Sequence, residues 1–121
     1  MVAAARAGQS ALLIAPTGGG KTLAGFLPSL VELTARQNTS GKLHTLYISP
    51  LKALAHDVQR NLLTPIGDMG LPITVETRSG DTPSDRKARQ RTRPPHVLLT
   101  TPESLSLLLS YPESAQLFST L

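Results

Sequence analysis

The chain predicts an α/β fold in three layers, a parallel sheet flanked by helices. Strand-like and helix-like segments alternate along its length. The strand-like runs Ala11 to Ala15 and Val97 to Thr100 are almost continuously apolar, the pattern of strands buried on both faces. At 121 residues and 40% hydrophobic content, residues 1–121 suit one domain with its own core.

Each element follows from local chemistry. Met1 to Ala7 reads as the tail of a helix ended by Gly8, and Ala11 to Ala15 as the first strand. A helix from Thr22 to Arg36 contains Pro28, which removes a hydrogen bond and is expected to kink or shorten it. Gln37-Asn38-Thr39-Ser40-Gly41 is a turn by composition. Leu43 to Ser49 forms the second strand, and Pro50 ends it. Leu51, Leu54, Ala55, Val58 and Leu62 then repeat at helical spacing, predicting a helix from Leu51 to Leu63 before a loop at Gly67, Gly70 and Pro72.

Ile73 to Thr77 alternates as a third strand. Asp81-Thr82-Pro83-Ser84 is a helix start with proline at the first helical position, and that helix stops before Pro94-Pro95. Val97 to Thr100 is the fourth strand. Thr101-Pro102-Glu103 caps a helix to about Ser110, and Pro112 opens one more short helix.

Between the first strand and its helix lies Ala15-Pro16-Thr17-Gly18-Gly19-Gly20-Lys21-Thr22. Strand, glycine-rich turn and helix beginning at Lys-Thr is the context in which such a loop cradles phosphates. Its backbone N–H groups and the helix dipole converge on one locus, and Lys21 adds a full charge there. Thr17, Gly18, Gly19, Gly20, Lys21 and Thr22 are therefore the candidate triphosphate-binding residues, with Lys21 and Thr22 the candidate catalytic ones. The Thr22 hydroxyl suits Mg2+ bridging the phosphates, so a nucleoside triphosphate with Mg2+ is the expected ligand. Ala15 stands where the usual pattern has its first glycine.

Composition excludes several classes. Charged residues make up 17%, below the roughly 25% average, so a disordered charged tail is not expected. No apolar run approaches the roughly 18 residues of a membrane span, and the first residues lack the order of a signal peptide. Without cysteine there is neither a disulfide framework nor a cysteine metal site, and a cytoplasmic location is expected. His44, His56 and His96 have no ligand spacing; His44 and His96 flank strands, where capping or packing is expected.

The net charge of +4 is local. Arg78, Arg86, Lys87, Arg89, Arg91 and Arg93 stand against Asp81 and Asp85, an excess equal to that of the whole chain. The run is either an electrostatic footprint for a phosphate backbone or a solvated helix face.

In open parallel sheets, ligands sit outside the carboxyl ends of the strands. The glycine-rich loop, Ser49-Pro50-Leu51-Lys52, Arg78-Ser79-Gly80-Asp81 and Thr100-Thr101-Pro102-Glu103 all fall at those ends. Together with Leu46-Tyr47-Ile48, Ala53-Leu54-Ala55 and Pro95-His96-Val97-Leu98-Leu99, and in this order and spacing, they carry a resemblance over nearly the whole chain. The chain resembles the front half of the first RecA-like motor domain of a superfamily 2 (DEAD/DEAH-box type) helicase, and more narrowly the large helicase-related family. The fold implied is that of a P-loop NTPase, incomplete.

By that resemblance, Ser49, Pro50, Leu51 and Lys52 would line the track for single-stranded nucleic acid. Gly80, Asp81, Thr101, Pro102 and Glu103 would be further backbone-contacting loops. With so few aromatics (Phe26, Tyr47, Tyr111, Phe118), contacts to single-stranded or duplex nucleic acid should be mostly to backbone, with weak sequence preference. Neither a membrane nor an obligate protein partner is expected. Gly19 and Ser79 replace the family's more frequent serine and threonine. The resemblance also implies missing parts: the upstream glutamine motif, the acidic Asp-Glu box that holds magnesium and activates water, and the second motor domain. The chain then reads as an N-terminal fragment that binds ATP without hydrolysing it efficiently. Without a neighbouring strand, apolar sheet edge around Leu12 to Ile14 should be exposed. Two alternatives stay open: a P-loop kinase or other NTPase fragment, and a non-enzymatic basic nucleic-acid-binding module.

Overall fold

The computed structural model describes residues 2–12, 14, 21–36 and 40–121. The predicted loop residues Thr17, Gly18, Gly19 and Gly20, and most of the turn at 37–41, lie outside them. Two compact units emerge, Met1–Gln37 and Asn38–Leu121.

In the first unit, α1 (Val2–Arg6) ends as the sequence predicts. Gly8 takes a positive φ of 68°, the left-handed conformation that glycine adopts without a Cβ clash. Its N–H donates to Ala5 O at 3.0 Å and that of Gln9 to Ala4 O at 2.9 Å, satisfying carbonyls the last turn leaves open. α2 (Lys21–Ala35) keeps 15 residues despite Pro28, so the expected shortening does not occur. Phe26, Leu30 and Leu33, at i, i+4 and i+7, are buried and form one face along the helix on both sides of the proline. The predicted first strand is not formed at its described residues: Ala11, Leu12 and Ile14 are outside any strand. Leu12 and Ile14 are 85% and 83% exposed. Their exposure was expected; a sheet edge was not found. An apolar run becomes a strand only through backbone hydrogen bonds to a neighbour, which apolar composition alone does not encode.

The second unit holds that sheet, in the order β1 (Thr45–Ile48), β3 (Val97–Thr100), β2 (Val75–Arg78), all parallel. Val97 lies opposite both Thr45 and Val75, so the three strands are level. All four residues of β3 are buried, as its apolar run requires.

Helices cover both faces, which gives the three layers predicted. α3 (Lys52–Asp68) buries Ala55, Val58, Leu62 and Ile66 and packs on β2 and β3. On the opposite face are α4 (Ser84–Thr92), α5 (Pro102–Leu109) and α6 (Ser114–Leu117), the last followed by a 3-10 turn at Phe118–Thr120. There Leu98 joins Leu43, Leu108 and Leu117 in the core, with Leu46 and Phe118 against them.

Boundaries shift where tertiary pairing overrides local signals. α3 runs five residues past the predicted end, through Pro65 and Gly67, because Leu62 and Ile66 continue its buried face. Gly70, with φ 64°, stops it. β2 begins two residues later than predicted. Pro83 stands just before α4, not inside its first turn. None of the described helices is long and apolar enough to cross a membrane.

The outer edge of β2 is sealed by side chains. Gln59 Nε2 of α3 donates to Val75 O at 3.2 Å, and Gln90 Nε2 of α4 to Thr77 O at 3.1 Å. Gln90 is 2% exposed, and its Oε1 also accepts from the buried Arg78 guanidinium at 3.4 Å. Gln90→Leu keeps the volume and strands both partners, so it should destabilise the chain by about 2 kcal/mol. Gln59→Leu, at a half-buried position, should cost less than about 1 kcal/mol. Urea unfolding of both variants checks the contrast; equal midpoints would remove Gln90 from this role.

Candidate nucleic-acid interface

Three loops meet at the carboxyl ends of β1, β3 and β2, and the level register brings them to one edge. The loop after β1 leaves the sheet at Ser49, whose N–H still donates to Thr100 O at 3.0 Å. Ser49 is buried, and its Oγ accepts from Leu51 N at 3.4 Å, turning the chain into α3. Pro50, Leu51 and Lys52 are exposed. Leu51 occupies the cap position in an extended conformation and offers no side-chain cap. The first intrahelical bond is Ala55 N to Leu51 O, so the preceding N–H groups of a 17-residue helix point at this edge uncapped.

α5 begins differently. The Thr101 Oγ1 accepts from Ser104 N at 3.3 Å, so this buried hydroxyl is engaged as a cap. Pro102 and Glu103 are the exposed members of that loop.

The loop after β2 is held from inside. Ser79 N donates to Thr82 Oγ1 at 2.9 Å, Thr82 N to Ser79 O at 3.1 Å, and Asp81 N to Ser79 Oγ at 3.3 Å. Gly80 and Asp81 are left exposed at its tip. Gly80 has no positive φ, and a Cβ there would meet nothing within 4 Å. Neither backbone conformation nor internal packing calls for glycine at this position.

One ion pair joins two of the loops. Lys52 Nζ donates to Asp81 Oδ2 at 2.9 Å, with both side chains more than half exposed. The pair reaches from the end of β1 to the end of β2, past β3, a lateral distance of about 10 Å. The Lys52 hydrogen bond and charge hold the Asp81 carboxyl below its ordinary range, with Lys87 and His56 adding smaller pulls against a slight desolvation.

The basic run does not form one surface. Arg78 is buried, and its guanidinium donates to Lys87 O at 2.9 Å and to Gln90 Oε1. Burial, with the charge of Arg91, lowers its pKa from the usual arginine value. Arg89 pairs with Glu76 at 3.2 Å, and Arg91 lies 4.0 Å over the Tyr111 ring. Arg86 and Arg93 are exposed. A charge count does not distinguish these environments, and nothing in the sequence marked Gln90 as the buried residue tying Arg78 to β2.

Lys21 and Thr22 are the first two residues of α2, as the phosphate-loop pattern requires. Among the described residues no group of His, Asp and Glu is arranged to hold a metal. His96 acts structurally, its Nδ1 accepting from Thr74 N at 3.0 Å. No aromatic residue belongs to the three loops.

Comparison with known proteins gives a family for this arrangement. The family model of DEAD/DEAH box helicases matches residues 1–121. The chain is 50% identical over 115 residues to a Lhr helicase/probable uracil glycosylase of Mycolicibacterium smegmatis, covering 85% of this chain and 8% of that protein. It is 39% identical over 125 residues to the ATP-dependent helicase Lhr-Core of Methanocaldococcus jannaschii, covering 93% and 15%. Among solved structures, Mycobacterium smegmatis helicase Lhr bound to ssDNA and AMP-PNP superposes with a TM-score of 0.81 at 44% identity, over 98% of this chain and 16% of that one. The DUF1998 helicase MrfA bound to DNA and AMPPNP gives 0.82 at 30% identity, over 99% and 16%. The chain thus spans well under a fifth of the length of these relatives.

The depressed Asp81 pKa has a defined sign. Its link to Lys52 is complete above the unfolded carboxylate range and is lost as pH falls through the lower folded value. Carboxyl 13C titration by NMR should place Asp81 below the ordinary aspartate range, and Lys52→Met should return it toward that range. An unshifted Asp81 in the parent chain would contradict the pairing.

Proposed function

Because the chain belongs to the DEAD/DEAH-box helicase family, we propose that it supplies the ATP-binding and nucleic-acid-binding portion of an ATP-dependent helicase acting on single-stranded or duplex nucleic acid in the cytoplasm. The observation carrying this reading is the meeting of three sequence-distant loops at one carboxyl edge of a parallel sheet.

The nucleotide half rests on Thr17 to Thr22 and on the start of α2. That helix opens at Lys21 with no acidic residue in its first turn, so its dipole and the lysine suit a triphosphate. Thr17, Gly18, Gly19 and Gly20 would wrap the phosphates through backbone N–H groups, Lys21 would neutralise them, and Thr22 would take Mg2+. Magnesium, when bound, neutralises charge developing between the phosphates. Hydrolysis also needs a group that positions water and charge aimed at the γ-phosphate. Asp81 is engaged with Lys52 and Glu103 stands exposed in a helix's first turn, so this portion is read as binding ATP without efficient turnover.

For nucleic acid, the uncapped start of α3 and the exposed Gly80 offer N–H groups and Lys52 a positive charge suited to backbone phosphates, with the exposed Pro102 and Glu103 completing the proposed track. Loops without aromatics favour contact that ignores sequence. The dispersal of the basic run weakens the alternative of a basic module, and the family match weakens that of a kinase.

Lys21→Ala should reduce binding of magnesium–AMP-PNP by at least about tenfold, equivalent to about 1.4 kcal/mol, with an unchanged circular dichroism spectrum. Calorimetry on the 121-residue chain measures this; equal affinity would exclude the phosphate-loop role. Gly80→Val tests the other half. Gly80 has open space around it, so the variant should keep the parent melting temperature. It should nonetheless weaken binding of a labelled oligo-dT severalfold. Unchanged binding would remove Gly80 from the interface.

A further inference from the structure

The Lys52 ammonium, the fixed cation of the proposed track, already has an anion on it. We infer that Asp81 acts as an internal competitor of the nucleic-acid backbone, its carboxylate holding Lys52 in place until a phosphate displaces it. This inference rests on the nucleic-acid reading above and changes the part Asp81 plays in it, from contact to positioning residue.

The geometry supports competition in three ways. Lys52 opens α3, whose cap residue supplies no side-chain acceptor, so an anion arriving there meets both the ammonium and the helix start. Asp81 Oδ2 lies 2.9 Å from Lys52 Nζ, the separation of a charge-assisted hydrogen bond such as a phosphate oxygen would make. The two anions cannot occupy the same donor direction. Asp81 is also held for this task. Its N–H is bound to Ser79 Oγ, and Thr82 locks Ser79 from the other side.

Weakness is what makes such a contact displaceable. The side chains are 52% and 80% exposed, and ion pairs of that exposure are worth little against water and salt. A backbone phosphodiester carries the same single charge as a carboxylate but can also accept from the uncapped N–H groups at the start of α3, so it prevails. Lys87 Nζ of α4, 3.5 Å from Gly80 O, provides a second cation against the same loop. The consequence is a bound chain in which the loops after β1 and β2 are no longer tied to each other.

The test is a double-mutant cycle on the full chain, read by fluorescence anisotropy of a labelled 20-nucleotide oligo-dT across a NaCl series. Asp81→Asn should tighten binding about three- to fivefold near 50 mM salt, with the gain fading as salt screens the pair. Lys52→Met should weaken binding, and adding Asp81→Asn to it should bring no further gain. Asp85→Asn, which removes the same charge at the exposed start of α4, measures the effect of net charge and should change affinity less than twofold. Weaker or unchanged binding by Asp81→Asn, while Lys52→Met still weakens it, would overturn the competition and leave the nucleic-acid reading standing. A gain that persists in the Lys52→Met background would also overturn it, since general repulsion would then suffice. Absence of binding by every protein in the series would overturn both.

Discussion

β3 hydrogen-bonds to a parallel strand on each side, and this double pairing is the constraint on which the unit depends. Its four residues are buried on both faces, so a slip by one residue would carry every side chain to the opposite face, against a layer of helices packed for its neighbours. Because both neighbours take their register from the same residues, the chain exits after β1 and β2 fall level with its own. The buried Thr100 hydroxyl reinforces this by donating to Arg78 O at 2.9 Å. Loops that are 30 and 50 residues apart in sequence thus come together through strand pairing, with no direct packing between them required.

The polar chemistry of the carboxyl edge is arranged in two tiers. The inner tier is buried and satisfied: Ser49, Ser79, Thr100, Thr101 and Ser104 exchange hydrogen bonds with one another's loops or with the backbone. Small hydroxyl residues suit it because they cap and turn the chain at little entropic cost. The outer tier, Pro50 to Lys52, Gly80, Asp81, Pro102 and Glu103, is exposed. Rigid support beneath and open groups above is the division expected of a surface that must present N–H groups without itself being reshaped.

Much of this was legible in the residues, for reasons that can be named. β3 has the bounds read from the sequence because its apolar run lies between Pro94-Pro95 and Thr101-Pro102, which exclude strand and start a helix. The Thr101 cap was legible for the same reason. The end of α3 was not, since Pro65 and Gly67 are local breakers and only the burial of Ile66 holds the helix through them. Ala11, Leu12 and Ile14 read as strand because composition reports apolar surface but not backbone pairing. The basic run misled in a different way. Counting charges treats Arg78 and Arg86 alike, while strand alternation turns the first beneath α4 and helix periodicity leaves the second in water.

The buried arginine shows why the edge of the sheet and the site edge belong to one system. Arg78 ends β2, and the exposed loop with Gly80 and Asp81 starts at the next residue. Its guanidinium has carbonyl oxygens as partners, from Lys87 and from Gln90, and a buried cation must have each such partner in place. Gln90 simultaneously covers Thr77 O on the open side of β2 and donates to Glu76, which in turn pairs with Arg89. One amide therefore closes the strand edge, satisfies the cation and fixes α4 beneath the loop. Asp81 can yield Lys52 to an incoming anion at low cost because the loop that carries it is anchored by this buried network and not by the ion pair.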